Sequence, residues 1–172
     1  MIDYDLTLIK GIAFDVDGVL SPSTIPLHIT GEPMRMVNIK DGYALQLAVK
    51  CGLKIAIITG GNTNAVRVRF EGLGVQDVCM GAATKLPALK EWMQKYGFEP
   101  QDIAFVGDDI PDMPALKHAG LAITPRDAAP DVLALAHYVT PCDGGQGVAR
   151  DILEQVLRAQ GKWLSDLNAF GW

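Results

Sequence analysis

Short apolar runs that stop abruptly at polar residues recur along this chain. Ile12-Ala13-Phe14 breaks at Asp15-Val16-Asp17-Gly18, Ile55-Ala56-Ile57-Ile58 at Thr59-Gly60-Gly61, and Ile103-Ala104-Phe105-Val106 at Gly107-Asp108-Asp109. Runs that are apolar at every position, and too short for helices, read as strands buried on both faces. Weaker runs at 77–80, 121–123 and 137–139 extend the set. Between them, helical spacing covers 41–51, 63–72, 84–96, 112–119, 131–135 and 147–160. Asp41 suits an N-cap, and Gly52, Gly74 and Gly97 stand where helix ends favour a left-handed residue. Regular alternation of strand and helix predicts an α/β fold with a doubly wound parallel sheet.

One stretch breaks that rhythm. Residues 23–40 alternate apolar and polar positions around Thr30-Gly31-Glu32-Pro33, which reads as a β-hairpin inserted after the first strand. Its strands are expected at 24–29 and 34–39. Neither the interval from Asp15 to Thr59 nor that from Lys85 to Asp108 leaves room for a folded cap domain. The chain is therefore expected to be one domain, residues 1–172. Its tail, residues 163–172, carries Trp163, Phe170 and Trp172. It reads either as a final helix docked on its own domain or as a contact with another subunit.

Composition narrows the function. With 172 residues, 49% of them hydrophobic, the chain can bury a proper core, which excludes disorder as the dominant state. A net charge of −5 without a basic stripe speaks against nucleic acid. No apolar run is long enough to span a bilayer, so no membrane role is expected. Asp3 and Asp5 stand where a secretory leader needs positive charge. Cys51, Cys79 and Cys142 are odd in number and lack CxxC spacing, so neither a disulfide framework nor a zinc knuckle is expected. These features describe a soluble protein of a reducing compartment, the cytoplasm.

In open α/β sheets, ligands bind beyond the carboxyl ends of the strands. The three strongest strands deliver Asp15 and Asp17, then Thr59, then Asp108 and Asp109 to that edge. Asp15 and Asp17, two apart in extended chain, face the same way. Paired carboxylates can divide labour, one as nucleophile or metal ligand and the other as general acid/base. Asp108 and Asp109, with Asp112 a turn later, add oxygen ligands. Crowded carboxylates of this kind suit Mg²⁺. Lys85 can neutralise phosphate charge, and Thr59 with Gly60 and Gly61 offers a hydroxyl and open N–H groups.

The ordered set Asp15-Val16-Asp17-Gly18-Val19, Thr59-Gly60, Lys85 and Gly107-Asp108-Asp109-Ile110-Pro111-Asp112 resembles the haloacid dehalogenase-like phosphohydrolases. Asn38-Ile39-Lys40-Asp41-Gly42, Ala56-Ile57-Ile58-Thr59-Gly60 and Gly144-Gly145-Gln146-Gly147-Val148-Ala149-Arg150 look like the 3-deoxy-D-manno-octulosonate 8-phosphate (KDO 8-phosphate) phosphatase branch. The resemblance covers roughly residues 8–162. It implies a Rossmann-like fold without a cap and a phosphatase of lipopolysaccharide sugar synthesis. Asp15 is then the nucleophile that forms an aspartyl-phosphate, and Asp17 the general acid/base. The Asp15 side chain, the Asp17 backbone carbonyl and Asp108 hold Mg²⁺, while Thr59, Gly60 and Lys85 bind phosphate. Asp17, Asn38, Ile39, Lys40, Asp41, Gly42 and Arg69 match positions that contact the sugar-acid phosphate. Gly61 and Gln46 depart from the branch, whose members often carry Arg at these positions. Arg35, Lys40 and Arg67 are candidate replacements, and the departures keep a nine-carbon keto-sugar acid 9-phosphate as the alternative substrate.

A phospho-accepting regulatory domain uses Asp, Mg²⁺, Thr and Lys in another order, with the acceptor Asp central and the Lys last. Here Lys85 precedes Asp108. A catalytically silent sugar-phosphate binder is the remaining alternative, although every expected catalytic position is filled. Without a cap, the site needs covering from elsewhere. The branch forms homotetramers, so the hairpin, together with the tail, is expected to cover a neighbouring subunit's Asp15.

Overall fold

In a computed structural model, which describes residues 1–171, the apolar runs form six strands. They are β1 (Gly11–Phe14), β2 (Lys54–Ile58), β3 (Asp77–Cys79), β4 (Ile103–Val106), β5 (Leu121–Thr124) and β6 (Tyr138–Val139). All pair in parallel, in the order β3-β2-β1-β4-β5-β6. Central β1 sets Phe14 beside Ile57 of β2 and Val106 of β4. Five helices link the strands, α1 (Ile39–Lys50), α2 (Asn64–Glu71), α3 (Lys85–Tyr96), α4 (Met113–His118) and α5 (Pro130–Leu135), and α6 (Val148–Ala159) follows β6.

Side chains alternate across the sheet, so each strand feeds two cores. Ile12, Phe14, Ile55, Ile57, Val106 and Ile123 pack with α1, α2 and α6. Ala13, Ala56, Ile58, Phe105 and Ala122 pack with α3, α4 and α5. Burial on both faces is why the strands read as unbroken apolar runs. Among the described residues no helix is long and apolar enough to cross a membrane.

Three local features bear on these expectations. The first helix starts at Ile39, capped by Asn38 rather than Asp41: the Asn38 side chain accepts the N–H groups of Lys40 (2.8 Å) and Asp41 (3.4 Å). Asp41 faces inward instead, where its Oδ1 accepts the Arg150 N–H at 2.7 Å and so ties α1 to the start of α6. The expected hairpin has no regular strands. One antiparallel bridge, Leu27 to Pro33, and a turn closed by His28 N–H on Glu32 C=O (2.8 Å) are what form. Leu27 and Ile29 stay 69% and 95% exposed, and an isolated two-stranded ribbon is marginal. Trp163 and Ala169 of the tail pack on the tail's own domain, whereas Leu167 and Phe170 stay 89% and 72% exposed. Trp163 meets Tyr43 edge-on and lies under Arg150 and Arg158, while the Tyr43 hydroxyl donates to the Ala169 carbonyl. Lys50 donates to the Gly171 carbonyl at 3.1 Å. Trp172, also part of that expectation, lies outside the described residues.

Asp41 carries a testable cost. Burial, only partly offset by the N–H groups of Arg150 and Gly147, pushes its carboxyl up to about 6 from the usual 3.8. The unfolded chain releases this proton first, so the carboxyl's contribution is complete below pH 3.8 and is lost as pH rises through about 6. The gap corresponds to about 3 kcal/mol. Asp41→Asn keeps the acceptor for Arg150 and removes the charge. Urea melts are expected to find it more stable than wild type at pH 8, with the gain disappearing toward pH 4. A less stable variant at pH 8 would show that the buried charge is compensated.

Candidate active site

The order of the sheet reverses between β1 and β4, and such a switch point opens a crevice beyond the strand ends. Asp15 follows β1 there and Asp108 follows β4. Asp15 is 5% exposed, and its Oδ1 accepts the Val16 N–H at 2.6 Å. Its Oδ2 accepts Lys85 Nζ at 2.5 Å. Lys85 opens α3 and is buried, and the same ammonium group donates to Asp112 Oδ1. Asp112 is completely buried, and its Oδ2 accepts the N–H groups of Asp108 (2.9 Å) and Asp109 (3.3 Å). Thr59, buried at the end of β2, turns its Oγ1 to the Gly61 N–H at 3.1 Å. Asp17 is exposed enough to meet a substrate, and its two oxygens accept the fork of Arg35 at 2.6 and 2.8 Å.

Glycines make this crowding possible. Gly18 has φ +84°, and a methyl group on it would lie 1.9 Å from Asp108 Oδ2. A methyl group on Gly144 would lie 2.1 Å from the Gly18 carbonyl oxygen. The Gly144 to Gly147 loop therefore braces the Asp15–Gly18 turn, with Gly145 N–H on the Val19 carbonyl at 2.8 Å.

The cluster is short of positive charge. Burial and the charge of Asp112 push Asp15 up to about 7, against the pull of Lys85. Burial, then Asp112 and Asp15, push Asp108 up to about 7 as well. Burial pulls Lys85 down, but Asp15 and Asp112 outweigh it and hold the ammonium above its ordinary value. Ligand oxygens of Asp15, Asp108 and Asp112 lie within 4.8 Å of one another. Asp112 has both oxygens engaged, whereas Asp108 Oδ1 is buried without a hydrogen-bond partner. A hard divalent cation fits an all-oxygen set with an orphaned carboxylate oxygen.

The remaining candidates divide. Ile39 and Lys40 line a cavity of about 730 Å³ with Gly145 and Arg150, and the Asn38 amide reaches the Gly145 carbonyl at 3.4 Å. Arg69 lines a second cavity of about 460 Å³ with Arg35 and His28. A methyl group on Gly42 would lie 2.3 Å from Arg69 Nη2, so Gly42 makes room for that guanidinium. Buried Asp41 does not line either cavity. Sequence reasoning placed Asp112 only as an extra oxygen and missed the contact of Arg35 with Asp17, which no spacing signals.

A family model described as haloacid dehalogenase-like hydrolase matches residues 43–120. The 3-deoxy-D-manno-octulosonate 8-phosphate phosphatase KdsC of Escherichia coli K12 is 36% identical over 154 residues, 90% of this chain and 82% of that protein. The crystal structure of the Moraxella catarrhalis phosphatase of that name, in complex with magnesium ion, phosphate ion and KDO, superposes with a TM-score of 0.90. It is 33% identical, with 97% of this chain and 96% of that one covered. The Yersinia pestis phosphatase is 34% identical with a TM-score of 0.88, over 92% and 85% of the two chains. With relatives this similar along almost its whole length, and with Asp15, Thr59, Lys85 and Asp108 gathered at one crevice, the chain belongs to the haloacid dehalogenase-like phosphatases, in the family of the KDO 8-phosphate phosphatases.

Proposed function

We propose that the protein is a Mg²⁺-dependent phosphomonoesterase that hydrolyses KDO 8-phosphate to KDO and phosphate in the cytoplasm, through an aspartyl-phosphate on Asp15. The observation that carries this reading is the buried Asp15–Lys85–Asp112 chain, with Thr59 at the neighbouring strand end and Asp17 nearer solvent. Its substrate is taken from the similar KDO 8-phosphate phosphatases, one of them crystallised with KDO.

In the first half-reaction an Asp15 oxygen attacks phosphorus and the bond to the sugar oxygen breaks. Asp17 gives that oxygen its proton. In the second, water attacks the same phosphorus, Asp17 takes a proton from it, and phosphate leaves Asp15 as a free carboxylate. Lys85, the Thr59 hydroxyl and the open N–H of Gly60 hold the phosphoryl oxygens, since phosphoryl transfer needs chiefly positioning and charge stabilisation. Asp15, Asp108 and the Asp17 backbone carbonyl would hold Mg²⁺, which supplies further charge neutralisation when bound. Asp112 stays outside that set because its oxygens hold Lys85 and the Asp108 and Asp109 N–H groups.

A phosphate-release screen tests this. Eight- and nine-carbon keto-sugar acid phosphates are expected to exceed hexose phosphates and nucleotides in kcat/KM. Activity is expected to vanish with chelator, return with Mg²⁺, and return poorly with Ca²⁺, whose looser coordination misplaces the phosphoryl group. A hexose phosphate or nucleotide better by about tenfold would end the sugar-acid assignment.

The reading extends to assembly. Leu27, Ile29, Met36 and Ile39 are more than half exposed on the segment beside the site. A homotetramer in which this segment covers a neighbour's Asp15 would bury them and shield the phosphorylated intermediate from solvent. Light scattering that finds an active monomer would refute it.

A further inference from the structure

Arg35 stands out as a cation at the site for which the reaction above has no use. It lies just past the bridged turn of the 22–38 segment, next to Met34, whose N–H is fixed on the Pro26 carbonyl at 2.8 Å. Its side chain is 9% exposed, against 35% for its partner Asp17. Nε and Nη2 grip the two Asp17 oxygens, and Nη1 donates to Thr63 Oγ1 at 2.9 Å. Thr63 occupies the N-cap position of α2, where a threonine hydroxyl ordinarily caps its own helix, yet it makes no such bond. Gly61 completes the seat. A methyl group there would lie 2.5 Å from Arg35 Nη2 and 3.4 Å from Thr59 Oγ1. The guanidinium thus fills the space above Gly61, between the buried phosphoryl site and the 460 Å³ cavity that it also lines.

Charge completes the argument. Four carboxylates, of Asp15, Asp17, Asp108 and Asp112, crowd this crevice, and Lys85 and Arg35 are the cations bonded to them. A phosphomonoester adds a dianion beside Asp17, which must be free to address the ester oxygen. A guanidinium fork that fits two carboxylate oxygens fits two phosphoryl oxygens equally well.

We propose that Arg35 is a substrate contact, which leaves Asp17 and binds the outward oxygens of the phosphoryl group when a phosphomonoester enters. The inference rests on the phosphatase reading of Asp15 but not on the identity of the sugar. Asp17 is then the resting partner of the fork, and Thr63 and the bare Gly61 keep the guanidinium on the phosphoryl side of the cavity.

The test uses the wild-type protein and Arg35→Ala, Arg35→Lys and Gly61→Ala, with 4-nitrophenyl phosphate and a keto-sugar acid phosphate as substrates and inorganic phosphate as inhibitor. Arg35→Ala is expected to lose about 10- to 100-fold in kcat/KM on both substrates, the range for one charge-assisted contact. Inhibition by phosphate should weaken by a similar factor, and added guanidinium ion should restore part of the rate. Arg35→Lys, which keeps charge without the fork, should fall between. Gly61→Ala, which evicts the guanidinium and leaves the arginine in place, should also weaken phosphate inhibition, so the idea stays testable if Arg35→Ala folds poorly. Arg35→Ala with unchanged phosphate inhibition overturns the proposal, because a purely structural role predicts that result. A loss confined to the sugar-acid phosphate also overturns it, since the fork then reads the sugar. A wild type inert to every phosphomonoester overturns the phosphatase reading and this inference with it, whereas an active wild type with indifferent Arg35 variants overturns the inference alone.

Discussion

Asp15→Asn is expected to abolish turnover, by on the order of 10⁴-fold or more, while the protein stays folded. The amide keeps an oxygen for the Val16 N–H and the same volume between β1 and Lys85. It loses the attacking charge and one ligand of the acidic cluster. The structure also predicts the sign of the stability change. Asp15 is buried beside Asp112, and its carboxyl is pushed up to about 7, so in metal-free buffer its ionisation costs stability as pH rises through that value. The Asn variant is therefore expected to melt no lower than wild type at pH 8 without metal. Kinetics and a thermal melt on the same preparation check both halves. A folded variant with near-wild-type kcat would remove Asp15 as nucleophile.

The sheet was legible because burial on both faces writes itself as continuous apolar runs, and the polar residues that end those runs gather at one crevice. Asp15, Thr59 and Asp108 are found where the strand ends put them, and Lys85 opens α3 as its spacing implied. What the chain did not disclose depends on distant partners. Asn38 and Asp41 are both good N-caps three residues apart, and the choice between them is made by the Arg150 N–H, 109 positions away, which takes Asp41 inward. Residues 23–40 carry a strand-like alternation, but alternation predicts a strand only if a surface exists for one face. Among the described residues Leu27 and Ile29 find little, staying 69% and 95% exposed. The pairing of Arg35 with Asp17 crosses 18 residues of irregular chain and follows no period; the bare Gly61 was its one visible trace.

Lys85 is expected to be the position where removing a single charge most damages both function and fold. Its ammonium is the bond shared by Asp15 and Asp112, and all three side chains are at most 7% exposed. Lys85→Met keeps much of the stem's packing and deletes that charge. Breaking a buried pair by removing one partner typically costs about 3–5 kcal/mol, because the other charge stays buried without compensation. The cost should depend on pH with a definite sign. Asp15 and Asp108 already stand at about 7 with Lys85 in place, and without its pull both rise further. Groups raised in the folded state stabilise it below their unfolded values and lose that contribution as pH rises through the folded ones. In metal-free buffer the variant should therefore be far less stable than wild type at pH 8 and closer to it at pH 5, where Asp15 and Asp108 are protonated. Mg²⁺ should recover part of the stability at pH 8 by supplying the missing charge, but not the activity, because the phosphoryl group still lacks its ammonium partner. Urea melts at the two pH values, with and without Mg²⁺, read the first three outcomes, and phosphate release reads the last. Equal destabilisation at pH 5 and pH 8 would mean that the lysine stem, rather than its charge, holds the site together.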